Sequence, residues 1–458
     1  MEASAIILAA GAGTRMKSKL PKVAHRIMGE PLVGYVIDAA NEAVELDKIV
    51  AVVGHGREQV IPLVQDACEV VVQEEQRGTA DAVNSCREAF AGVGGSVVVL
   101  SGDCPLITPQ TIRRLVERRE QTGAAAVVLS MIPEDPFGYG RIVRTTAGEF
   151  ERIIEQKDCT PAQAAIVECN SGFYCFDADY LFQALEQVST NNAQGEYYLT
   201  DVVEIARHAG RVVEAMVADD ADECLGVNTR VQLAQATKVL QRRINERHML
   251  AGVSMTDPDQ VWIGPKVEIA PDVELLPQTF LLGTTSIGED TVVGPNSRLT
   301  DTRVGERCVI DETVAIESQI EDECNCGPRA YLRPGAHLLH GAKAGTHVEI
   351  KKSTIGEGSK VPHLSYIGDT TLGEGVNIGA GTITCNYDGY NKWPTTVGDR
   401  SFVGSSTMLV APVNVGEDVT IGAGSVITAD VSDGALALGR GRQVEKPGWT
   451  AKFRASQE

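Results

Sequence analysis

The chain has 458 residues, a formal net charge of −21 and eleven cysteines. Its length predicts two or more domains, because a single hydrophobic core stops growing well below this size. Its acidic balance argues against nucleic acid or an anionic membrane as a partner. The sequence contains no stretch of about 18 apolar residues, so no transmembrane helix is predicted. The N-terminus lacks the basic region of a signal peptide and the scattered cysteines suit reduced thiols, so we expect a cytoplasmic protein.

Strands and helices alternate from Ile6 to about Leu225. The clearest elements are apolar runs of strand length and helical patterns between them: Ile6–Leu8, Ile49–Val53, Val70–Val72, Val97–Leu100 and Ala124–Leu129 for the strands, Leu32–Asn41 and Thr79–Ala89 for the helices. This alternation predicts an α/β domain with a Rossmann-like, mostly parallel sheet covered on both faces. Ligands of such folds bind at the carboxyl ends of the strands, so motifs directly after strands carry the most weight.

The first such motif is a glycine-rich loop, which reads Leu8, Ala9, Ala10, Gly11, Ala12, Gly13, Thr14, Arg15 and Met16. Its two glycines allow backbone N–H groups to close around phosphates, and Arg15 and Lys22 add positive charge. Met16 stands where a dinucleotide fingerprint needs a small residue, and the Gly-Lys-Ser/Thr of a P-loop is absent. By spacing alone, the two glycines are equally typical of an ordinary tight turn.

A second motif, Ser101-Gly102-Asp103, follows the strand Val97–Leu100. A carboxylate at a strand end can hold Mg²⁺ against a triphosphate. An Asp in this position is also typical of a turn or a helix cap. The nearby glycine-rich loop favours the metal interpretation.

The segment from Leu8 to Met16, followed by Pro21-Lys22, resembles the signature of sugar-phosphate nucleotidyltransferases. The resemblance implies that Gln73, Gly78 and Thr79 face the uracil of UTP. It also implies three sugar contacts and a second metal ligand beside Asp103: Gly140, Glu155 and Asn170 for the sugar, Asn228 for the metal. Taken singly, these residues are also explained by turns, caps and exposed charges. One departure is Ala12, where many relatives carry Lys.

A helix is predicted from Arg230 to Leu250, because Leu233, Ala236, Leu240 and Ile244 recur at helical spacing. Its other positions are charged or carry amides, which suits a solvated connector. The sequence therefore predicts a nucleotidyltransferase domain over residues 1–229, a linker helix over 230–250, and a further domain over 251–458.

From Ile263 to Ile427 an aliphatic residue recurs every six positions, often followed by Gly. This period predicts a parallel β-helix whose coils share one core, with glycine giving the backbone freedom at each corner. An irregular β-sandwich is the alternative. We place the start of the β-helix near Val261. The period breaks near Thr300–Arg303 and again at Thr384–Thr396, a polar and aromatic stretch that predicts a loop on the binding face.

These repeats resemble the hexapeptide acyltransferase family, which implies a left-handed β-helix and a homotrimer. Within them His363 is distinguished by its neighbours, since Pro362 replaces a corner glycine. His337, His340 and His347 have no metal-like partner set. Cys324 and Cys326 lack two further ligands, so we expect no zinc site.

The whole chain, from Leu8 to about Arg440, resembles the bacterial bifunctional N-acetylglucosamine-1-phosphate uridylyltransferase/glucosamine-1-phosphate acetyltransferase family. The resemblance implies UTP, acetyl-CoA and glucosamine-1-phosphate as substrates, and Mg²⁺ as the metal. It implies that His363 is the base of acetyl transfer. It further implies contacts to the sugar phosphate from Arg333, Lys351, Tyr366 and Asn377, and contacts to acetyl-CoA from Ala380, Asn386, Tyr387, Ser405, Ala423 and Arg440.

Three alternatives remain at this point. One is a single-activity sugar nucleotidyltransferase with a purely structural β-helix. Another is a non-catalytic scaffold like the nucleotidyltransferase-like subunits of translation initiation exchange factors. Cys385 also allows an acyl-enzyme route. We further expect the acetyl site to lie in a cleft between subunits, with His363 from one chain and the 384–396 loop or the tail around Arg440 from another.

Overall fold

A computed structural model describes residues 2–44, 46–192 and 194–457. The chain forms two compact units, Met1–Leu240 and Gln241–Glu458. Among the described residues, every helix is too short or too polar to span a lipid bilayer.

The first unit is built on one large sheet and a small hairpin. Its described strands are β1 Ala3–Ala9, β2 Arg26–Ile27, β3 Glu30–Pro31, β4 Lys48–Val53, β5 Glu69–Val72, β6 Ser96–Ser101, β7 Ala126–Met131, β8 Arg141–Arg144, β9 Phe150–Ile154, β10 Cys169–Asp177 and β11 Val213–Val217. The main sheet has the order β11-β7-β10-β6-β1-β4-β5, with the pair β8 and β9 attached to β10. Only β10 runs against its neighbours β6 and β7 in this order, which confirms a mostly parallel sheet.

Helices cover both faces of this sheet. The described α-helices of the first unit are α1 Leu32–Ala43, α2 Arg57–Val64, α3 Thr79–Asn84, α4 Pro109–Thr122, α5 Pro161–Ala164, α6 Ala178–Leu185 and α7 Thr200–His208, with 3₁₀ turns at Thr14–Met16, Lys22–Ala24, Gln156–Asp158 and Ala221–Cys224. Alternate residues of β1 enter different cores, since Ile7 packs with Val36 of α1 and Ile6 packs in a second cluster with Val83 of α3. The doubly covered sheet predicted from the sequence is therefore present.

The helix expected over Thr79–Ala89 is shorter than predicted. It ends at Asn84, and the chain continues in turns in which Cys86 N–H donates to Val83 O and Arg87 N–H donates to Asn84 O. The Ser85 hydroxyl donates to Asp81 O at 3.0 Å. This hydroxyl competes for a carbonyl of the helix ladder, which is a known reason why Ser weakens a helix interior.

Helix α8 spans Arg230–Leu250, and the division between the two units falls within it. Its first part packs Ala236 and Leu240 into a cluster of the first unit that includes Met16. Its second part buries Gln241 and Asn245. The expectation of a solvated connector holds for charged positions such as Arg242 and Glu246, which are exposed, but is wrong for these two amides. Their nitrogens donate to Val261 O at 2.7 and 3.0 Å, which keeps them buried.

The second unit is a parallel β-helix with three faces. Its first face consists of β12 Ser254–Met255, β15 Glu274–Leu275, β18 Val292–Val293, β21 Val309–Ile310, β24 Asn325–Cys326, β27 Lys343–Thr346, β30 Lys360–His363, β33 Asn377–Ile378, β36 Phe402–Val403, β39 Thr420–Ile421 and β41 Leu436–Ala437. Its second face consists of β13 Val261–Ile263, β16 Thr279–Leu282, β19 Arg298–Thr300, β22 Val314–Ile316, β25 Tyr331–Leu332, β28 Glu349–Lys351, β31 Tyr366–Gly368, β34 Ile383–Cys385, β37 Met408–Val410 and β40 Val426–Ile427.

Its third face consists of β14 Glu268–Ile269, β17 Ser286–Ile287, β20 Arg303–Val304, β23 Gln319–Ile320, β26 Ala336–Leu338, β29 Ser353–Ile355, β32 Thr370–Leu372, β35 Thr395–Val397 and β38 Val413–Val415. A 3₁₀ turn lies at Pro258–Gln260 and a last helix, α9, at Trp449–Ala455. The first strand of the stack is Ser254–Met255, so the β-helix begins earlier than the predicted Val261. The repeat rule missed this strand because Met255 is only half-buried and no glycine follows it.

Strand register gives the length of each coil. Phe280 pairs with Arg298 and Glu349 pairs with Tyr366, which corresponds to coils of 18 and 17 residues. Thr370 pairs with Thr395, which is a coil of 25 residues. The long coil contains the predicted insertion, and its extra residues lie between β34 and β35.

The glycines that follow the aliphatic residues have a different role from the one expected. Gly398 and Gly404 do not have a positive φ. A Cβ on Gly404 would lie 2.5 Å from Ala423 N, and one on Gly398 would lie 2.7 Å from Glu417 N. These glycines are therefore needed for close stacking of coils. The left-handed corner positions are often other residues, such as Asp301 and Leu364.

Candidate active sites

The first site lies at the carboxyl ends of β1 and β6. Leu8 pairs with Ser101 across these strands, and Gly102 N–H donates to Leu8 O at 2.9 Å. This pairing places the start of the glycine-rich loop beside the turn that carries Asp103. The two motifs singled out in the sequence are therefore neighbours, as expected for ligand sites of parallel sheets.

A cavity of about 330 Å³ opens at this edge of the sheet. Its described lining consists of Leu8, Ala10, Gly11, Lys22, Val23, Gln73, Gln76, Gly78, Thr79, Ala82, Ser101, Asp103 and Glu196. Nine of these thirteen residues are among the residues that the sequence assigned to the uridylyl site. The sequence missed the other four, and Gln76 is the one with a visible signal, since it lies three residues after Gln73.

Positive and oxygen-bearing side chains converge at one end of the cavity. Lys22 Nζ contacts Asp103 Oδ2 and donates to Asn228 Oδ1 at 2.9 Å, and Arg15 donates to the same oxygen at 3.0 Å. Asn228 and Asp103 are held together by the backbone, since Val227 N–H donates to Asp103 O at 2.9 Å. The two residues expected to bind a metal thus present oxygens to one common cation, the ammonium group of Lys22.

These oxygens fit a divalent cation. Carboxylate and amide oxygens are ligands for Mg²⁺, which commonly uses one or two protein ligands and completes its shell with water and substrate phosphates. Among the described residues, no group of three His, Cys, Asp or Glu side chains is placed to hold a metal. A metal at Asp103 and Asn228 would therefore complete its shell with oxygens from water and substrate.

The glycine loop is shaped by Lys22. Gly13 has a φ of 59°, and a Cβ added to it would lie 2.6 Å from Lys22 Cβ. A side chain at position 13 would displace the lysine that contacts Asp103. Around Gly11 a Cβ would meet nothing within 4 Å, so space beside that backbone is open.

The residues expected to contact the sugar form a second group. Asn170 N–H donates to Gly140 O at 2.8 Å, and Glu155 Oε1 lies 3.5 Å from the position of a Cβ on Gly140. Burial raises the pKa of Glu155, and the nearby carboxylates of Asp158 and Asp201 raise it further. In the described part of the chain these three residues come together, but none of them lines the cavity of about 330 Å³.

The second site lies on the β-helix, at the corner between its second and third faces. Lys351 Nζ lies 3.3 Å from Asp369 Oδ2, and Asn386 Nδ2 donates to the same carboxylate oxygen. Asn386 Nδ2 also lies 3.5 Å from Tyr366 Oη. A Cβ on Gly368 would lie 2.7 Å from Asn386 Nδ2, so glycine leaves the space for this cluster.

A second cation, Lys392, comes to this cluster from the long coil. The neighbouring Lys351 lowers the pKa of Lys392. In the same loop Trp393 N–H donates to Asn386 O at 2.8 Å, and Trp393 Nε1 donates to Asp388 at 2.7 Å. The loop is therefore internally bonded, although the side chain of Tyr390 is 92% exposed.

His363 lies on a different edge, at the corner between the first and second faces. It pairs with Thr346, and Leu364 after it has a φ of 48°. In the next coils Ala380, Ser405 and Ala423 also precede corner residues with positive φ, namely Gly381, Ser406 and Gly424. His363 and three of the expected acetyl-CoA contacts thus form one column along this edge.

The remaining expected residues lie nearby but separately. Arg333 donates to Glu349 Oε1 at 2.8 Å on the second face. Asn377 begins β33 and pairs with Lys360. Tyr387 is exposed and its hydroxyl donates to Gly389 O at 2.6 Å, and Arg440 follows β41. Among the described residues, no hydrogen bond or ion pair links the side chain of His363 to the Lys351 cluster.

Comparison with known proteins identifies the family. The chain matches a family described as the MobA-like NTP transferase domain over residues 5–158, and one described as the hexapeptide repeat of succinyl-transferase over 284–316 and 394–429. It is 49% identical over 455 residues to the bifunctional protein GlmU of Heliobacterium modesticaldum, which covers 99% of both chains. It is 51% identical to the GlmU of Pelotomaculum thermopropionicum over 99% of both chains, and 45% identical to that of Lactobacillus delbrueckii subsp. bulgaricus over 100% of this chain and 99% of that one.

The chain belongs to the bifunctional GlmU family. It is a bifunctional enzyme that makes UDP-N-acetylglucosamine, with uridylyltransferase and acetyltransferase activities. Its β-helix is the left-handed hexapeptide-repeat fold that the resemblance implied. A purely structural β-helix and a non-catalytic scaffold are both set aside by this family membership.

Asp369 and Lys392 are the residues of the second site that the sequence missed. Asp369 has a φ of 51° and occupies a corner position, as Asp301 does four coils before it. In sequence it is indistinguishable from such corner residues. Its distinguishing feature is the long coil that follows, because only that coil brings Asn386 and Lys392 beside it.

Proposed function

We propose that each unit carries one of the two activities, with uridylyl transfer at the cavity of the first unit and acetyl transfer on the β-helix. The observation that supports this division most strongly is the convergence of Arg15, Lys22, Asp103 and Asn228 beside the cavity. Such an arrangement of cations and oxygen ligands suits a triphosphate with its metal.

At the first site the sugar 1-phosphate attacks the α-phosphorus of UTP and pyrophosphate leaves, so no protein nucleophile is required. Backbone N–H groups of the Gly11–Gly13 loop and the charges of Arg15 and Lys22 bind the phosphates. Asp103 and Asn228 would hold Mg²⁺, which would supply neutralisation of the phosphate charge. Gln73, Gly78 and Thr79 face the base, and Gly140, Glu155 and Asn170 face the sugar.

At the second site His363 removes a proton from the amine of glucosamine-1-phosphate, because only the free amine attacks the thioester of acetyl-CoA. Lys351 and Lys392 bind the phosphate group, with Arg333, Tyr366 and Asn377 as further contacts. The column of Ala380, Ser405 and Ala423 follows His363 along one edge and suits an elongated ligand such as acetyl-CoA. Direct transfer needs no role for Cys385.

We also propose that the enzyme is a homotrimer and that the acetyl site lies between subunits. His363 and the Lys351 cluster occupy different edges of one β-helix, at opposite ends of the second face. A parallel trimer would bring the edge of one subunit to the flank of the next. The exposed aromatic residues of the long coil, Tyr387 and Tyr390, suit contact with a neighbouring chain, as does the tail around Arg440.

The test of this arrangement uses mixed trimers. His363→Ala and a deletion of residues 386–394, each inactive alone in acetyl transfer, are reassembled together. Recovery of acetylation is expected, because some interfaces then pair an intact His363 with an intact loop. If trimers shown by light scattering to be folded and mixed do not recover acetylation, His363 and the loop of one working site belong to the same chain.

A test of the two activities separates the sites. His363→Ala is expected to lose acetylation of glucosamine-1-phosphate and to retain uridylyl transfer to supplied N-acetylglucosamine-1-phosphate in the presence of Mg²⁺. Retention of more than about a tenth of the acetylation rate would exclude His363 as the base, since general base catalysis contributes at least 10²-fold.

We propose a cytoplasmic location as well. All eleven cysteines are free thiols, which is typical of proteins in a reducing compartment.

A further inference from the structure

Gln73 is a buried amide in the wall of the cavity, with its side chain and backbone only 4% exposed. Its nitrogen uses both of its protons, since Nε2 donates to Gly78 O at 3.2 Å and to Asp81 Oδ2 at 2.8 Å. Its carbonyl oxygen Oε1 accepts no hydrogen bond from any described residue. The polar atom that Gln73 has available for a ligand is therefore an acceptor.

Asp81 is the charged one of the two partners that favour this orientation of the amide. An ionised carboxylate only accepts hydrogen bonds, so Gln73 must turn Nε2 and not Oε1 toward it. The other carboxylate oxygen, Oδ1, accepts from Arg77 at 2.7 Å. Asp81 itself does not line the cavity of about 330 Å³, so it acts through Gln73 and does not reach a ligand there.

The second acceptor for Gln73 Nε2 is equally fixed in place. The loop before α3 is bonded to Tyr197, whose N–H donates to Arg77 O and whose carbonyl accepts from Ala80 N–H, both at 2.9 Å. Gly78 has a φ of 130°, and a Cβ on it would lie 2.4 Å from Tyr197 O. The carbonyl of Gly78 cannot easily move away from Gln73, so both partners of the amide nitrogen are held by the protein.

We propose that Asp81 is a positioning residue that makes the first site specific for a base with a ring N–H donor. This inference rests on the proposed function, which places the base of UTP against Gln73. The N3–H of uracil donates to Gln73 Oε1. Cytosine presents a lone pair at N3, which faces the lone pair of Gln73 Oε1 and leaves this oxygen without a hydrogen-bond donor. A buried acceptor left unpaired in this way costs binding free energy.

The experiment compares UTP with CTP as the nucleotide substrate. Pyrophosphate release is measured with N-acetylglucosamine-1-phosphate and Mg²⁺, and the ratio of kcat/KM for UTP to kcat/KM for CTP is taken. In Asp81→Asn the new amide is able to donate to Gln73 Oε1, so only Gly78 O still favours the original orientation. Gln73 then turns its nitrogen to the cavity in part of the molecules. The ratio is expected to fall by about five-fold, at the low end of the effect of one mispaired hydrogen-bonding edge, because Gly78 O still favours Nε2.

Two further variants sharpen the result. Asp81→Ala removes the acceptor without supplying a donor, and its ratio is expected to fall by roughly three-fold, between wild type and Asp81→Asn. Arg77→Gln is the matched control. It removes an exposed ion-pair partner, keeps the carboxylate, and is expected to leave the ratio at the wild-type value, because exposed ion pairs contribute little.

The alternative role for Asp81 is structural, since an acidic residue in the first turn of α3 stabilises a helix N-terminus. Such a role would lower kcat/KM for UTP and CTP together and would lower the melting temperature, with the ratio unchanged. An unchanged ratio in folded Asp81→Asn and Asp81→Ala overturns the inference. Gln73→Ala separates this outcome from failure of the proposed base site: if its KM for UTP equals that of wild type, the base does not bind at Gln73 at all.

Discussion

We predict that the second unit loses stability in mild acid because the imidazole of His248 is buried. His248 is near the end of α8 and is only 7% exposed, and its Nε2 is buried without a hydrogen-bond partner among the described residues. Burial and, to a smaller extent, the neighbouring Arg247 together lower the pKa of His248 to about 4. A lowered pKa means that the folded state prefers the neutral ring.

The size of the effect follows from the difference between the two states. With a pKa of 6.5 when unfolded and about 4 when folded, the unfolded chain binds the proton first as the pH falls. His248 then costs about 2 kcal/mol of folding free energy at pH 5, and only about 0.1 kcal/mol at pH 7.5. The loss begins below pH 6.5 and is complete below pH 4.

All three tryptophans, Trp262, Trp393 and Trp449, belong to the second unit, so their fluorescence reports its unfolding selectively. Urea titrations at pH 7.5 and 5.0 are compared for wild type and His248→Leu. Other groups titrate in both proteins, and the difference between them isolates His248. Relative to the variant, the wild-type midpoint is expected to fall by about 1 M urea at pH 5, given a slope of about 2 kcal/mol per M.

A control variant removes a histidine that is exposed. His347→Asn should leave this pH dependence unchanged, because His347 is at an exposed left-handed corner that Asn readily adopts. If the difference in free energy of unfolding between wild type and His248→Leu is the same at both pH values, within about 0.5 kcal/mol, the inference that His248 is neutral in the folded state is wrong.

Three further predictions concern the first unit. Asp103→Ala should abolish pyrophosphate release from UTP and spare acetyl transfer, whereas near-normal release would refute its place at the metal. Glu155→Gln should raise the melting temperature at pH 7.5, since burial disfavours the ionised form of Glu155, and this gain should vanish near pH 4. The same variant should raise KM for the sugar phosphate, and a lower melting temperature at pH 7.5 would contradict the prediction. A fragment ending at Thr229 should retain uridylyl transfer but melt below one ending at Leu250, which keeps buried Ala236 and Leu240; equal melting would show that this packing is dispensable.

The sequence predicts the architecture well where a pattern repeats. Strand positions in the β-helix follow from the period of six, because most of its strands bury one aliphatic residue, as those of Ile287 and Val293 do, although Cys326 and Thr384 take that position in β24 and β34. The same rule misassigned the glycines, since a period does not distinguish positive φ from lack of space. Only the stacking distance between coils shows that Gly404 has no room for a Cβ.

Contacts between residues far apart in the chain could not be predicted from the sequence. The hydrogen bond from Arg15 to Asn228 joins residues 213 positions apart, and the spacing of a motif does not indicate such a contact. The polar face of α8 was misread for a similar reason, because Gln241 is typical of an exposed helix surface until its carbonyl partner, Val261 O, is known. Residues of the second site were found by resemblance, and Asp369 was missed because it looks like any corner residue.

The coil of 25 residues leaves the coils on both sides of it in register. Thr370 and Thr395 are direct partners on the third face, and Asn377 and Phe402 are direct partners on the first, although a long loop lies between them in the chain. Every backbone pairing needed for stacking is thus made outside the loop. The loop can therefore differ in length and composition while every pairing of the scaffold around it stays the same.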